Sequence, residues 1–198
     1  MISLQLIFYT SVTPKDFQSN NWLSLFPKPK RCLNPKCRVP IPPDKHGFYE
    51  RNVIDIFFKG RIKIRRYYCP YCGMTFSYLP SFCLPYFQYS LTIIFFTLCC
   101  HFFRLLRFLQ AFVQASQLYL QRQHRQFYVR RFKANLKMIQ LVLRSIFPLA
   151  ELPESQDISK GAQKVLSIVL TGFAQIQAFS PRFFAQCNYS FMAPCRLA

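Results

Sequence analysis

Cys69-Pro70-Tyr71-Cys72-Gly73 closes a basic, alternating stretch of the chain, and a second close pair, Cys32 and Cys37, lies upstream of it. Thiolates are soft donors, and four of them in two pairs suit the corners of a tetrahedral zinc ion. The Cys-x-x-Cys half brings two sulfurs to one ion through a tight loop. Gly73 follows where the backbone must take a left-handed angle and aim amides at charged sulfur. The Cys32/Cys37 half has four intervening residues, and Asn34-Pro35 must supply its bend. With every corner taken by protein, such a Zn2+ is structural and has no place for an activated water. Metal binding and folding then share one free energy, so loss of Cys72 is expected to unfold this part of the chain. Four free thiols are the plain alternative, though unbound cysteine among Arg- and Tyr-rich strands would be reactive.

Other groups offer less. His46 reads as a turn histidine and Cys83 as a small buried hydrophobe. Cys99, Cys100 and His101 are consecutive on an apolar helix, where neighbours one apart do not share a face, so they read as core filling. Nothing near Cys187 or Cys195 orients them. The acids, Asp16, Asp44, Glu50, Asp55, Glu151, Glu154 and Asp157, are scattered, and none pairs with a histidine. Strand transfer or hydrolysis on metals needs clustered carboxylates, so no catalytic residue is assigned and an enzyme is not expected.

The charge balance points to a partner. Twenty-six Lys and Arg against seven acids give +19 over 198 residues, which repels itself unless phosphates or counterions gather. At 52% apolar, with 23 Phe and 11 Tyr, the chain is no disordered basic tail. Nine cysteines are an odd number, and Met1-Ile2-Ser3-Leu4-Gln5 lacks the basic flank of a signal peptide, so a reducing cytoplasm is expected. The longest apolar run, Leu91 to Phe103, reaches about 20 Å as a helix against a hydrocarbon layer of roughly 30 Å. A membrane partner is therefore not expected.

The elements that position the thiols can be traced along the chain. Residues 1–31 hold short apolar pieces, Leu4 to Tyr9 and Trp22 to Phe26, and read as a strand or arm leading into the first thiol pair. From Phe48 the enrichment is β-branched and aromatic. Lys59-Gly60 is the expected turn, and Arg61-Ile62-Lys63-Ile64-Arg65 alternates cleanly, with Ile62 and Ile64 inward. That hairpin delivers Cys69 to the metal, and Met74 to Tyr78 adds a short third strand before Pro80. The small sheet is thus expected to fold around a metal, not around an oily core.

Helices follow. Tyr89 to about Gln121 reads as one long helix capped by Ser90, with a break near Arg104 to Gln110 that no proline or glycine marks. In His124 to Ile146, Phe132, Leu136, Ile139, Leu143 and Ile146 recur at helical spacing and form one apolar stripe. Arg130, Lys133, Lys137, Gln140 and Arg144 form a second, wet row. Glu151 to Ile158 reads as a linker, Ser159 to Ala178 as a final helix stopped by Ser180-Pro181, and the tail from Arg182 as irregular.

Two basic surfaces result. Arg61, Lys63, Arg65 and Arg66 form one; Arg122, Arg125, Arg130, Arg131, Lys133 and Lys137 form the other. Such rows are often only solvated helix faces, but no Glu or Asp between 104 and 150 offers i,i+4 pairing. Phosphate contacts would supply affinity, and helix 124–146 entering a major groove would bring Gln123, Gln126, Arg130 and Lys133 nearest base edges. Double-stranded DNA is the first expected partner. RNA is a second, because Tyr67, Tyr68, Tyr71, Phe76 and Tyr78 beside Arg65 and Arg66 could stack on unpaired bases. No small-molecule substrate is expected.

The run from Arg65 to Phe82, Arg-Arg-Tyr-Tyr-Cys-Pro-Tyr-Cys-Gly-Met-Thr-Phe-Ser-Tyr-Leu-Pro-Ser-Phe, followed by Leu84-Pro85-Tyr86, resembles a zinc-ribbon segment of transposase-related bacterial proteins. These are mostly uncharacterised and from Gram-positive bacteria. The resemblance covers residues 32 to about 145 and places Cys69 and Cys72 as ligands, with Cys32 and Cys37 at the first pair. It implies a ribbon before a helix-turn-helix-like region and binding to the DNA ends of a mobile element. The acidic catalytic domain of full transposases has no counterpart in length or acids here.

The expected architecture is α+β: an arm (1–31), a zinc ribbon of hairpin plus short strand (32–82), an all-helical, helix-turn-helix-like bundle (86–148), then a linker, C-terminal helix and aromatic tail (149–198). The expected function is zinc-stabilised DNA binding in a bacterial cytoplasm, at the nucleoid. The alternative is an adaptor or degenerate mobile-element remnant whose Phe-rich helices dock a larger partner, and a homodimer stays open.

Overall fold

The apolar run near the start of the chain is strand β1 (Ser3–Phe8), and it pairs in parallel with β4 (Thr75–Pro80). The computed structural model describes residues 3–19, 22–34, 36–37, 39–150, 152 and 157–194. Two units divide the chain, residues 1–90 and 91–198, so the first 31 residues are no separate arm.

Between β1 and β4 lie α1 (Pro14–Ser19), a 3-10 turn (Trp22–Leu25), and the long hairpin of β2 (Asp44–Asp55) and β3 (Phe58–Tyr68). Thr13 caps α1: its Oγ1 accepts the Asp16 amide at 3.2 Å and donates to the Asp16 carboxylate at 2.6 Å, while Pro14 sits at the first helical position. The sheet order is β1-β4-β3-β2, mixed, with only the β1/β4 pair parallel.

The expectation of a sheet without an oily core is overturned. Ile62 and Ile64 point inward as the alternation requires, and they meet Val53, Leu79, Phe82 and Cys83 beneath Phe17 and Phe26. Phe17 belongs to α1 and Phe26 follows the 3-10 turn, so the segment read as an arm supplies the lid of this core. The hairpin turn also differs. It falls at Ile56-Phe57, and Gly60 lies inside β3. The Phe58 ring lies over Gly60, so a Cβ there would come within 2.9 Å of Phe58 Cζ and the ring would have to shift.

The second unit is helical: α2 (Leu91–Phe102), α3 (Leu106–Ala115), α4 (Arg122–Ile146), α5 (Ile158–Gly172), a 3-10 turn (Ile176–Ala178) and α6 (Phe179–Cys187). Helix α2 is buried nearly all round, from Leu91, Ile93 and Ile94 to Phe102. No helix among the described residues is long and apolar enough to cross a membrane.

Where one long helix was expected from Tyr89, α2 and α3 are separated by Arg104 in the left-handed region, at φ 61°. The amide of Leu105 donates to the Cys100 carbonyl at 2.8 Å and that of Arg104 to the His101 carbonyl at 3.3 Å, the paired closure of a Schellman motif. Gln117, at φ 52°, ends α3 the same way, with Leu118 donating to Val113 and Gln117 to Gln114. Glycine usually fills that position, so neither end carries its common sequence mark. Ser90 stands immediately before α2, and its hydroxyl donates to the Asp55 carboxylate.

Helix α4 keeps its expected stripe, with Phe132, Leu136, Ile139 and Leu143 buried. It starts at Arg122 behind a reciprocal cap of Gln121 and His124. At α5 the Asp157 carboxylate accepts the amides of Ser159 and Lys160. Of the expected linker, Glu151 and residues 153–156 lie outside the described residues. The final helix stops at Gly172, and the tail read as irregular contains α6. Pro181 is no obstacle, because it sits in the first turn, where amides have no intrahelical partner. Phe179 packs among Phe95, Phe173, Phe183 and Phe191 at ring separations of 5.2–6.1 Å, which gives the aromatic tail its place in the bundle core.

Ile64→Ala removes a fully buried side chain from beneath α1 and is expected to cost about 2–5 kcal/mol, read from chemical denaturation of the metal-loaded chain. A loss below about 1 kcal/mol would mean that the sheet does not depend on this core.

Candidate metal centre and basic faces

Cys69 ends the hairpin's second strand and Cys72 lies in the turn before β4, while Cys32 and Cys37 come from the irregular segment before β2. The structure brings all four together, with every Sγ within 4.8 Å of the others. Cys32 Sγ lies 3.6 Å from Cys72 Sγ, and Cys37 Sγ lies 3.9 Å from Cys69 Sγ. A tetrahedron with metal–sulfur bonds of about 2.3 Å has edges of about 3.8 Å, so this sulfur cage has the size for one soft divalent ion.

Local backbone geometry makes the cage. Gly73, at φ 66°, has open space where a Cβ would stand, so it is needed for its angle and not for room. Its amide closes the knuckle on the Cys69 carbonyl at 2.9 Å, and the Cys69 amide donates to the Met74 carbonyl at 3.0 Å. In the other half, the Asn34 side-chain oxygen accepts the Lys36 amide at 3.0 Å and its carbonyl accepts the Cys37 amide at 2.9 Å. The Asn34 amide donates toward Cys32 Sγ at 3.5 Å. Pro35, the other residue assigned to this bend, lies outside the described residues.

Two thiols differ in acidity. The Asn34 side chain and the Met74 amide, both hydrogen-bonded to Cys72 sulfur, lower its pKa to about 6, whereas burial pushes Cys32 up to about 12. A role for the Asn34 side chain at Cys72 was missed in the sequence because it acts across the two halves of the site. His46 stands outside the cage, exposed on β2, with its ring 5.5 Å from that of Tyr68. Cys83 is buried in the first unit's core and Cys100 is buried on α2, while Cys99 and Cys187 are half-buried. Cys195 lies outside the described residues.

On β3, Arg61 and Lys63 are exposed and alternate with buried Ile62 and Ile64. Arg61 pairs with Glu50 at 3.2 Å, and the Arg65 guanidinium lies 4.0 Å over the Phe48 ring. Arg66 does not join this face. Alternation turns it to the other side, where it is half-buried and donates to the Phe48 carbonyl at 3.4 Å.

On α4, Arg122, Arg125, Gln126, Val129, Arg130 and Lys133 line a groove of about 410 Å³ together with His101 of α2. Gln123, Arg131 and Lys137 stand outside that lining, and Arg131 lies 5.1 Å over the Phe127 ring. His101, read as core filling, is the unexpected member. Only the packing of α2 on α4 could reveal it. Burial, then Arg125 and Lys133, hold its imidazole below the usual histidine range, so it is neutral at pH 7.

In the metal-free chain, Cys72 is expected to alkylate first. A thiol titrating near 6 is thiolate above that pH, so its rate levels off above about pH 7 and falls as pH drops through 6. Cys83, raised to about 12 by burial, stays inert until the unit unfolds. Peptide mapping after iodoacetamide at several pH values checks the order; equal rates at the two positions would contradict it.

A family model described as a domain of unknown function (DUF6431) matches residues 34–99. The match takes in Cys37, Cys69, Cys72, the hairpin and most of α2, but not Cys32. No curated protein matches the chain, and no solved structure does.

Proposed function

We propose that the chain is a DNA-binding protein stabilised by one structural zinc ion. The reading takes the ribbon and helix-turn-helix-like character from the resemblance to the end-binding part of insertion-sequence transposases. The observation that carries it is the four-sulfur cage in a chain of +19. Cys32, Cys37, Cys69 and Cys72 would hold the ion. Zinc supplies charge and a tetrahedral clamp, and with four protein ligands it offers no open corner for a reacting water. Two basic faces, one in each unit, supply the phosphate contacts: Arg61, Lys63 and Arg65 on β3, and the Arg122 to Lys133 row on α4.

A second reading rests on a different observation. Leu105 and Phe108 are half-exposed or more, at 50% and 59%, beside Phe103 at 37%. Such an apolar surface suits a protein partner, and an adaptor of this kind would show little affinity for nucleic acid.

A zinc assay coupled to duplex binding, for wild type and Cys72→Ser, separates these readings. The expected result is one zinc per wild-type chain and none in the variant. Duplex affinity should fall about 10³–10⁵-fold between about 50 and 200 mM salt, as 6–10 phosphate contacts require. Metal-free wild type with salt-indifferent binding would sink the proposal.

A further inference from the structure

The groove on α4 has a regular origin. Arg122, Arg125, Gln126, Val129, Arg130 and Lys133 follow one another at helical spacing, so they form a single row along the axis. From first to last the row covers about 16 Å at the helical rise. Four of its six members are cations, and no carboxylate lines the groove.

An anion beside the C-terminal end of α2 would ordinarily meet the negative end of a helix dipole. Here the terminal carbonyls already have donors. Cys99 accepts from the Phe103 amide at 2.9 Å, Cys100 from Leu105 at 2.8 Å, and His101 from Arg104 at 3.3 Å. Phe102 accepts from the Gln163 side chain at 2.6 Å. The closure at Arg104 thus gives donors to the last backbone carbonyls of α2 beside the groove. Burial first, and then Arg125 and Lys133, lower the pKa of His101 beside this row.

We propose that this groove is a backbone seat: it takes several consecutive phosphates of a nucleic-acid strand, independently of base sequence. The inference rests on the DNA-binding reading and assigns a part within it. A single inorganic phosphate would engage only a fraction of a row about 16 Å long, whereas the phosphates of one strand recur at every 3.4 Å or so of rise along a duplex axis. Gln126 is the only uncharged polar side chain that α4 contributes to the lining, and Gln123, the other candidate for base edges, stands outside it. Cations seated on consecutive phosphates position a strand and carry no sequence information directly.

The test uses the full, zinc-loaded chain and two duplexes of unrelated sequence, with affinity measured across salt concentration. Arg125→Gln and Lys133→Gln probe the groove, and Lys63→Gln probes the hairpin. Lys63 and Lys133 are exposed, and far-UV circular dichroism checks that each variant is folded. Each groove substitution is expected to weaken both duplexes alike and to reduce the slope of log affinity against log salt by about 0.9. Weakening of one duplex alone would assign the row to base edges and overturn the inference. Unchanged slopes in both groove variants, with a reduced slope in Lys63→Gln, would also overturn it while leaving DNA binding in place. Wild type that ignores both duplexes removes the reading and the inference together.

Discussion

Four sulfur atoms within 4.8 Å of one another cannot all be charged without a cation among them. The mutual exclusion is already visible in the thiols themselves: hydrogen bonds ease Cys72 toward thiolate, while burial holds Cys32 to about 12. A divalent ion held there would reverse that balance by taking every proton's place. It would also tie the segment carrying Cys32 and Cys37 to the turn between β3 and β4. Among the described residues from Phe26 to Pro43 there is no helix or strand, so such a clamp would be what fixes their course.

The apolar core changes what the metal must do. Had the strands folded around the ion alone, stability of the sheet and occupancy of the site would be one quantity. Instead Phe17, Phe26, Ile62, Ile64, Leu79 and Phe82 form a buried cluster that needs no metal. Burial of that size supports strand pairing independently. The contribution of an ion held by the four sulfurs would therefore be local, at the knuckle around Gly73 and the bend at Asn34. With this core in place, losing a ligand is expected to loosen those two loops before it melts the sheet, a milder outcome than the unfolding expected from the cysteines alone.

Much of this was legible where a single element carries the signal. The Cys-x-x-Cys-Gly turn, the alternation at Ile62 and Ile64, and the stripe from Phe132 to Leu143 each follow from one local period. Failures arose where partners come from distant parts of the chain or where an unusual residue does a common job. Phe17 looked like part of an arm because its partners, Ile62 to Phe82, come far later. The end of α2 was unmarked because Arg104 occupies a left-handed position that usually signals itself with glycine. Pro181 looked like a stop because its place in the first turn depends on where α6 begins. The groove was half legible: the cations were visible as a row, but His101 joins them only through packing.

Charge then explains why the basic residues divide into two kinds. Fourteen Lys and Arg and no acid lie between Asp55 and Glu151, so intrachain ion pairing cannot neutralise most of them. Some are absorbed by the fold: Arg66 turns inward to the Phe48 carbonyl, and Arg65 and Arg131 lie over aromatic rings. Just upstream, Arg51 donates to the Leu84 and Phe87 carbonyls. Arg51 and Arg66, turned to backbone carbonyls, trade charge for geometry and are poor candidates for phosphate. Arg122, Arg125 and Arg130 share one groove on α4 with no counter-charge in its lining, and Arg130 also lies 5.8 Å over the Phe127 ring. Their mutual repulsion costs the free protein something that only an added anion can relieve. Any affinity for a polyanion would follow from that unrelieved field more directly than from the net charge of the chain.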